Sequence, residues 1–349
     1  MPKRSVSTQL VFMLLVSTFY VIPYIHPASA EETIIYIRAD GSISPPGAAI
    51  STVDNITYIF TDNIVNSSVA IERNGVTIDG TEHTIIGTGI NGKPGINATQ
   101  VNDVTIKQVK ISNASPAIWL YECSNCTLQE NELTNNTYGI YTNFCNSFII
   151  LRNKVMNNQG GGIYVANSFN FSIKQNLIVA KEYPFGIGLQ GSTNTTITEN
   201  VIANNEGFGI RILFSNNVRL HHNNFANNTN NAFSLSSTSI WDDGTEGNWW
   251  SDYKGTDANH DGIGDTPYTV DAGDIDRFPL VRPLKLALFG DVNYDGVVDI
   301  LDLTLLGSVY SKREGESGWV PQADLARPYG VINMLDVVTC VAHYKETYP

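Results

Sequence analysis

The chain has 349 residues, of which 34 are acidic and 21 are lysine or arginine, and its formal net charge at pH 7 is −13. This balance argues against a nucleic-acid partner, because a surface that binds nucleic acid needs a basic face.

An export signal is predicted for residues 1–30. Lys3 and Arg4 supply its positive start, an apolar stretch runs from Leu10 to Ile25, and Ala28-Ser29-Ala30 has the pattern of a cleavage site. A membrane anchor is the alternative, but the apolar stretch is short for a bilayer span. Later segments lack such a stretch, so we expect a secreted protein with no membrane span after cleavage. Loss of Lys3 and Arg4 takes the charge from −13 to −15.

Residues 101–237 repeat a short pattern, and this repeat determines the predicted fold. Its segments alternate apolar and polar side chains, which is typical of short strands joined by tight turns. The central apolar residues recur at steps of 22, 22, 23, 24 and 23 residues: Ile106, Leu128, Ile150, Ile173, Ile197 and Leu220. A second apolar series is Ile118, Ile140, Ile163, Ile187, Ile210 and Phe233. One coil cannot bury its apolar face alone, but stacked coils can.

Such stacking predicts a mainly β fold, a parallel β-helix (solenoid) over residues 31–240. A leucine-rich solenoid is the competing repeat, but the coils lack helical segments and a leucine-rich consensus. Crossover chirality favours the right-handed form. Stacked amides can hydrogen-bond along the coils at one turn position, which five coils fill with asparagine: Asn131, Asn153, Asn176, Asn200 and Asn223.

One residue per coil lies between two inward residues and is predicted to point outward: Trp119, Tyr141, Tyr164, Gly188, Arg211 and Ser234. Strands of neighbouring coils lie about 4.8 Å apart, so the three aromatic residues would form a strip on one outer face. Trp119, Tyr141 and Tyr164, extended by Arg211, form a candidate glycan platform. The alternative is a ladder that only stiffens the sheet.

Nine Asn-x-Ser/Thr sequons have two equally weighted interpretations. In an exported protein they can accept glycans, or an Asn- and Thr-rich repeat can generate them by chance. The asparagines are Asn55, Asn66, Asn97, Asn113, Asn125, Asn135, Asn170, Asn194 and Asn227.

Soft and nitrogen ligands do not form a clear copper site in the sequence. Cys123 and Cys145 occupy equivalent positions in successive coils, a spacing that allows a disulfide. Cys126 falls on the inward series. His221 and His222 are expected to diverge, because neighbouring side chains alternate across a strand.

Residues 241–283 are rich in Trp, Asp and Gly and are predicted to cap the solenoid, whose strand edges would otherwise be exposed. The segments Tyr36–Gly41, Gly247–Tyr253 and Asp261–Tyr268, with the coils, resemble the NosD-like, pectate-lyase-like β-helix proteins over about residues 34–283. This resemblance implies a right-handed parallel β-helix, of a type that also occurs in carbohydrate-binding proteins and sugar hydrolases.

The cap contains the opening of a calcium-binding loop. Asp257, Asn259 and Asp261 have the required spacing and Asp265 follows, but the twelfth position is Tyr268 rather than an acid. We expect either a structural calcium site at these four residues or a loop held by Asx turns alone.

Residues 284–349 contain two copies of a loop-and-helix pattern, 34 residues apart. The first copy has the full calcium template, with these ligands: Asp291, Asn293, Asp295, Val297 through its carbonyl, Asp299 through a water, and Asp302. The second copy has one residue too many before its glycine and retains Asp324, Asn333 and Asp336. The duplication resembles a type I dockerin over about residues 286–349, which implies bound Ca²⁺ and a cohesin partner.

In the resembling dockerins, loop positions 10 and 11 help to select the cohesin. Here these positions are apolar and comprise Ile300, Leu301, Met334 and Leu335. A small module can expose such a patch to a partner, which favours a docking face over the alternative of an internal core.

Three functions remain as hypotheses. The first is a secreted β-helix that binds a polysaccharide or glycan and is attached through its dockerin to a cohesin-bearing scaffold. The second is a β-helix polysaccharide lyase or glycoside hydrolase, although the coil strands carry few grouped carboxylates. The third is copper delivery by a NosD-like periplasmic protein.

Overall fold

Three long sheets form the body of the protein in the computed structural model. The structure describes residues 33–81, 83–89, 92–180, 185–271, 273–285, 290–326 and 329–347. The predicted export signal, residues 1–30, lies outside the described residues. Among those described, no helix is long and apolar enough to cross a membrane.

Each coil contributes one strand to each sheet. Sheet A contains β1 (Thr33–Ile37), β2 (Ile43–Ser44), β6 (Ser67–Ile71), β9 (Ile96–Thr99), β12 (Ile118–Tyr121), β15 (Tyr138–Asn143), β18 (Gly161–Ala166), β21 (Phe185–Gln190), β24 (Phe208–Leu213) and β27 (Asn230–Leu235). Sheet B contains β3 (Ile50–Ser51), β4 (Thr57–Phe60), β7 (Thr77–Asp79), β10 (Thr105–Lys107), β13 (Thr127–Gln129), β16 (Ile149–Leu151), β19 (Phe169–Lys174), β22 (Thr193–Thr198), β25 (Asn216–His221) and β28 (Ser239–Ile240). Sheet C contains β5 (Ile64–Val65), β8 (Thr84–Ile86), β11 (Lys110–Ser112), β14 (Glu132–Thr134), β17 (Lys154–Met156), β20 (Leu177–Val179), β23 (Val201–Ala203), β26 (Asn224–Ala226) and β29 (Trp249–Trp250).

The predicted parallel stacking is confirmed. Sheet B pairs the predicted inward residues in parallel register, and all of them are fully buried: Ile106, Leu128, Ile150, Ile173, Ile197 and Leu220. The solenoid interior is therefore a continuous apolar column, which a single coil could not bury. The right-handed sense stays a prediction.

The last member of the second apolar series was predicted wrongly. In β27 it is Ala232 that pairs with Ile210, while Phe233 pairs with Arg211 on the outer face. The step into this coil is 22 residues rather than 23, so the inward position moves to Ala232. Phe233 takes the outward position that had been assigned to Ser234.

A ladder of buried asparagines runs along the bend between sheets B and C. The side-chain amide of each asparagine donates to the Oδ1 atom of the next at 2.9–3.0 Å, in the order Asn131, Asn153, Asn176, Asn200, Asn223 and Asn248. Each Oδ1 also accepts the backbone N–H of the preceding asparagine. These bonds satisfy polar groups that the tight bend would otherwise leave buried and unpaired.

Left-handed bends account for most of the sequons. Eight of the nine sequon asparagines have φ between 51° and 60°, and the exception is Asn97. Asparagine is among the few residues that adopt this conformation readily. The backbone geometry therefore supplies a reason for these asparagines that needs no attached glycan.

The cap closes the C-terminal end of the interior with aromatic rings. The Trp250 ring stacks between Phe225 and Tyr268, with centroids 4.4 and 4.2 Å away. The fully buried carboxylate of Asp276 accepts hydrogen bonds from Trp250 Nε1 (2.9 Å) and from the Asn248 backbone (2.8 Å). Asp276 lies on β31 (Ile275–Asp276), which pairs with β30 (Tyr268–Thr269). The asparagine ladder thus ends at this carboxylate.

Two short helices follow, α1 (Ile300–Ser308) and α2 (Met334–Ala342), with a 3-10 turn at Pro321–Ala323 between them. Each helix begins with a capping box, formed by Asp299 and Asp302 in α1 and by Asn333 and Asp336 in α2. The helices share a separate apolar core that includes Val292, Val298, Leu306, Ile332 and Cys340.

Candidate functional site

A strip of aromatic side chains lies on the outer face of sheet A. Sheet register places Trp119, Tyr141 and Tyr164 in one outward column, and all three are half-buried. Ring centroids are 4.6 Å apart for Trp119 and Tyr141 and 5.0 Å apart for Tyr141 and Tyr164. The predicted column is therefore confirmed, with one ring per coil.

Phe185 continues the strip where the sequence has glycine. Gly188 occupies the next outward position, and a Cβ atom there would lie 2.5 Å from the Phe185 ring. The ring centroid lies 5.5 Å from that of Tyr164, and the Arg211 guanidinium lies 4.6 Å from the Phe185 centroid on the next coil. Sequence reasoning missed Phe185, although an aromatic residue three positions before an outward glycine was the available signal.

The aromatic strip therefore comprises Trp119, Tyr141, Tyr164, Phe185, Arg211 and Phe233. A second outward column runs beside it, two residues further along each strand, and includes the polar side chains of Tyr121, Asn143 and Gln190. There Tyr164 Oη lies 2.5 Å from Gln190 Oε1, and the Asn143 carboxamide accepts a hydrogen bond from Asn167 (3.0 Å). Burial raises the pKa of Tyr141 and of Tyr164, so both hydroxyls stay protonated at neutral pH. Apolar rings beside amides and hydroxyls match what a sugar-binding surface needs.

Loop 1, residues 291–302, has the backbone arrangement of a calcium loop. The Asp295 and Gly296 N–H groups donate to the two carboxylate oxygens of Asp291 (3.1 and 2.8 Å). Asp302 accepts the Asp299 N–H at 2.8 Å. Burial, together with the charges of Asp302 and Asp295, raises the pKa of Asp291 to about 7. A divalent cation would neutralise this buried acidic group, and an all-oxygen ligand set suits Ca²⁺.

The cap loop repeats the hydrogen bonds that the first acid of loop 1 accepts. The Asp261 and Gly262 N–H groups donate to the two oxygens of Asp257 (3.1 and 3.0 Å), as their counterparts do in loop 1. His260 has φ 61° where loop 1 has Tyr294 at 60°. Asp265 Oδ2 accepts the N–H of the second loop residue (2.9 Å), which is the contact that Asp302 makes in loop 1. Asx turns are therefore present, as the alternative expected, and the calcium expectation stays a proposal.

An arginine from the end of the cap lies beside the first acid of the second loop. The Arg282 guanidinium lies 2.7 Å from Asp324 Oδ2 and 2.8 Å from Glu314, and it covers the Tyr329 ring at 4.7 Å. Asp336 accepts from backbone N–H groups as Asp302 does, and Asn333 caps the helix. The second loop thus retains the hydrogen bonds of Asp336 and Asn333, while a positively charged side chain lies at its first ligand position.

The four predicted docking residues are exposed at the starts of the two helices. Ile300 and Leu301 are 58% and 55% exposed, and Met334 and Leu335 are 58% and 50% exposed. They are therefore not part of the module core, which was the alternative to docking. Val338 and Val341 extend the same apolar surface along α2.

The module packs against the outer face of sheet C. Tyr294 of loop 1 is buried among Met156, Leu177 and Val201. The Asn204 amide donates to the Asn293 carbonyl at 3.1 Å. A cavity of about 360 Å³ lies at this junction, and its lining includes Asp261 of the cap loop and Asp291 of loop 1. Sheet C is therefore covered here, whereas the strip on sheet A is open.

The structure differs from two sequence-based expectations about possible metal ligands. All four cysteines are free and buried, so Cys123 and Cys145 do not form a disulfide in this structure. The expectation that His221 and His222 diverge is wrong, because their Nδ1 atoms lie 3.1 Å apart. His222 has φ 57°, and at a left-handed bend the alternation of a strand no longer applies.

The architecture is that of a parallel β-solenoid, and comparison with family models gives the family of the chain. Residues 55–255, more than half of the chain, match the family described as periplasmic copper-binding protein (NosD). The chain therefore belongs to the NosD family. A search of curated protein sequences finds no match.

Several solved structures are similar in fold. The periplasmic alginate epimerase AlgG is 14% identical, with 51% of this chain and 65% of that chain covered and a TM-score of 0.34. The Dettilon tailspike protein gp208 is 15% identical, with 63% and 57% covered and a TM-score of 0.37. The AlgE6 A-module of the Azotobacter vinelandii mannuronan C-5 epimerase is 12% identical, with 52% and 69% covered and a TM-score of 0.30. At such identities the likeness concerns architecture alone.

Proposed function

We propose that this protein is an exported β-helix that binds an extended polysaccharide or glycan along the aromatic strip. The single observation that carries the proposal is the run of partly exposed rings, one per coil, formed by Trp119, Tyr141 and Tyr164, with the buried ring of Phe185 packed at its end. The exposed parts of these three rings offer apolar surface at low cost in side-chain entropy. Because the strip follows the solenoid axis, it suits a linear chain better than a compact ligand.

The polar column supports the same proposal. Gln190, Asn143 and the tyrosine hydroxyls can exchange hydrogen bonds with sugar hydroxyls beside the rings. Arg211 is held over Phe185 and leaves guanidinium N–H groups for an acidic or hydroxylated sugar. The ligand class is therefore a polysaccharide whose chain presents apolar ring faces and lateral hydroxyls.

Alanine substitution on the strip tests this function. A glycan array probed with the mature chain identifies a ligand, and calorimetry then compares variants. Trp119→Ala should weaken binding by about 1–3 kcal/mol, the cost of removing an aromatic anchor. Phe169→Ala is the matched control, because Phe169 is an exposed aromatic residue on sheet B.

The triple variant of Trp119, Tyr141 and Tyr164 provides the decisive result. Binding that persists unchanged in this variant would reduce the strip to a stiffening ladder. Loss of the folded state in the same variant would also contradict the proposal, since an open binding surface should be dispensable for stability.

We further propose that residues 284–349 act as a dockerin-like module that binds Ca²⁺ in loop 1 and docks into a cohesin-type partner. The complete ligand set, the buried acids of loop 1 and the exposed patch of Ile300, Leu301, Met334 and Leu335 support this role. Cap loop residues Asp257, Asn259, Asp261 and Asp265 are proposed as a second, structural calcium site.

Docking is tested by adding charge to the apolar patch. Ile300→Asp with Leu335→Asp should abolish capture by immobilised cohesin modules, whereas Ile275→Asp, at an exposed residue of the cap, should not. Equal capture of both variants by a cohesin that binds the wild type would refute docking through this face. If none of a broad panel of cohesins captures the wild-type protein, the cohesin partner is wrong.

The two alternatives have less support. Among the described strands of the three sheets, the acidic residues are Asp79 and Glu132, and both lie against lysines rather than forming a catalytic pair. The family description names copper binding, and a copper-delivery function would need converging soft or nitrogen ligands. The histidine pair offers nitrogen ligands, but such a pair suits several divalent ions and does not single out copper.

A further inference from the structure

Two adjacent histidines meet at the bend between β25 and β26. His221 ends β25, and the left-handed bend at His222 turns its ring to the same side. The ring centroids are 4.8 Å apart with planes at 80°, and the two Nδ1 atoms are separated by 3.1 Å. Neither ring stacks on the other, so the nitrogen atoms rather than the ring faces are brought together.

A carboxylate fixes which nitrogen of His222 is free. His222 Nε2 lies 3.0 Å from Glu246 Oε2, and because an ionised carboxylate only accepts, Nε2 must carry the proton. The Nδ1 lone pair of His222 then faces His221. A histidine that binds metal usually donates its other N–H to such a carboxylate.

The spacing of the nitrogen atoms matches two ligands of one ion. When both metal–nitrogen distances are about 2.0–2.1 Å and the nitrogen–metal–nitrogen angle is between about 90° and 110°, the two nitrogen atoms lie roughly 2.9–3.4 Å apart. The observed Nδ1–Nδ1 distance of 3.1 Å falls in this range. One ring nitrogen of each histidine and a carboxylate oxygen of Asp243 all lie within 4.8 Å of one another. Among the described residues, this is the group of three side chains that meets such a criterion.

Asp243 is held in place by its own turn. Its Oδ1 atom accepts from the Thr245 N–H (2.8 Å), the Thr245 hydroxyl (2.7 Å) and the Glu246 N–H (2.8 Å). The Oδ2 atom lies 3.7 Å from His222 Nε2, the nitrogen that donates to Glu246, so this oxygen has to turn toward the two Nδ1 atoms to join the same ion. The same turn positions Asp243 as a ligand and Glu246 as the partner of His222.

We propose that His221, His222 and Asp243 bind one late first-row divalent ion of the Zn²⁺ or Cu²⁺ type, with Glu246 orienting His222. Two imidazoles and one carboxylate suit these ions, whereas Ca²⁺ and Mg²⁺ prefer oxygen ligands. The site is therefore chemically distinct from the oxygen-lined loops. Its side chains are partly exposed, which leaves coordination positions for water or for a ligand from another molecule.

The test is metal titration of the full mature chain with excess Ca²⁺ present, so that oxygen-rich loops are occupied. The probes are Zn²⁺ by calorimetry and Cu²⁺ by electron paramagnetic resonance. His221→Thr copies the equivalent Thr198 of the preceding coil, and His222→Asn keeps a residue that tolerates the left-handed bend. His343→Ala is the control, because His343 lies 3.0 Å from Glu346 in a pair without a second histidine.

The wild type should bind one ion, and the Cu²⁺ spectrum should show coupling to two nitrogen atoms. Each single histidine variant should bind the ion at least tenfold more weakly, and the double variant should lose this site. Glu246→Gln should weaken binding about 10–100-fold, which is the usual effect of removing a carboxylate that is hydrogen-bonded to a metal-binding histidine. The control should bind as the wild type. The proposal is overturned if the folded double variant, verified by circular dichroism, binds either ion with wild-type affinity, or if the spectrum lacks nitrogen coupling.

Discussion

Replacing Asn200 by alanine should remove several kcal/mol of stability. The Asn200 side chain donates to the carbonyls of Ile173 and Thr198 and to Asn223 Oδ1. Its Oδ1 accepts both the backbone N–H and the side-chain amide of Asn176, each at 2.9 Å. Without Asn200, the Asn176 N–H becomes a buried unpaired donor, which costs about 1–3 kcal/mol. Lost hydrogen bonds to the carbonyls and a small cavity bring the total to about 3–5 kcal/mol.

Guanidinium unfolding followed by circular dichroism measures this loss, and hydrogen exchange at the Asn176 amide locates it. Asn216→Ala is the matched control, because Asn216 is exposed and the change should stay within about 0.5 kcal/mol. The reasoning is refuted if Asn200→Ala costs less than about 1 kcal/mol, or if the Asn176 amide keeps its protection.

Three further predictions concern charge. Burial raises the pKa of Asp276 to about 6 from an unfolded value near 3.8, so the folded state holds the proton more tightly. The free energy of unfolding should therefore fall by on the order of 3 kcal/mol as pH rises from 4 to 7. Asp276→Asn should flatten this pH dependence in unfolding curves. Calcium titration of Asp295→Ala should lose one tight site relative to the wild type, and an unchanged site count would exclude loop 1. Arg282→Gln should lower the free energy of unfolding by about 2–3 kcal/mol, because it leaves the Asp324 carboxylate buried without its charged partner. Arg219→Gln, at an exposed strand position, is the control and should be neutral when both variants are unfolded by heat.

The interior of the solenoid was predictable because its signal is local. Two periodicities, alternation along a strand and 22–24 residues between coils, place Ile106, Leu128 and their equivalents in one column. The outward position of Trp119 follows from the same rule. Prediction failed where coil length changed, as at Phe233, because a single residue reverses which side chains point inward.

Other parts of the candidate sites depend on contacts that no short pattern contains. Phe185 enters the strip by covering a glycine three positions away, and His221 meets His222 through a bend that strand alternation does not describe. Arg282 reaches Asp324 across 42 residues. Such contacts arise from tertiary packing, so the sequence indicates which residue types are present but not which of them lie in contact.

The arginine beside the second loop affects how the C-terminal module responds to a change in calcium concentration. A calcium ion leaves when its concentration falls, but a guanidinium is tethered to the backbone and keeps its charge at any physiological pH. The guanidinium of Arg282 places a fixed positive charge beside Asp324 of the second loop, and it ties this loop to the end of the cap. If loop 1 holds calcium as proposed, the module should loosen at loop 1 first when calcium is scarce, while the Arg282–Asp324 contact still holds the second loop to the end of the solenoid.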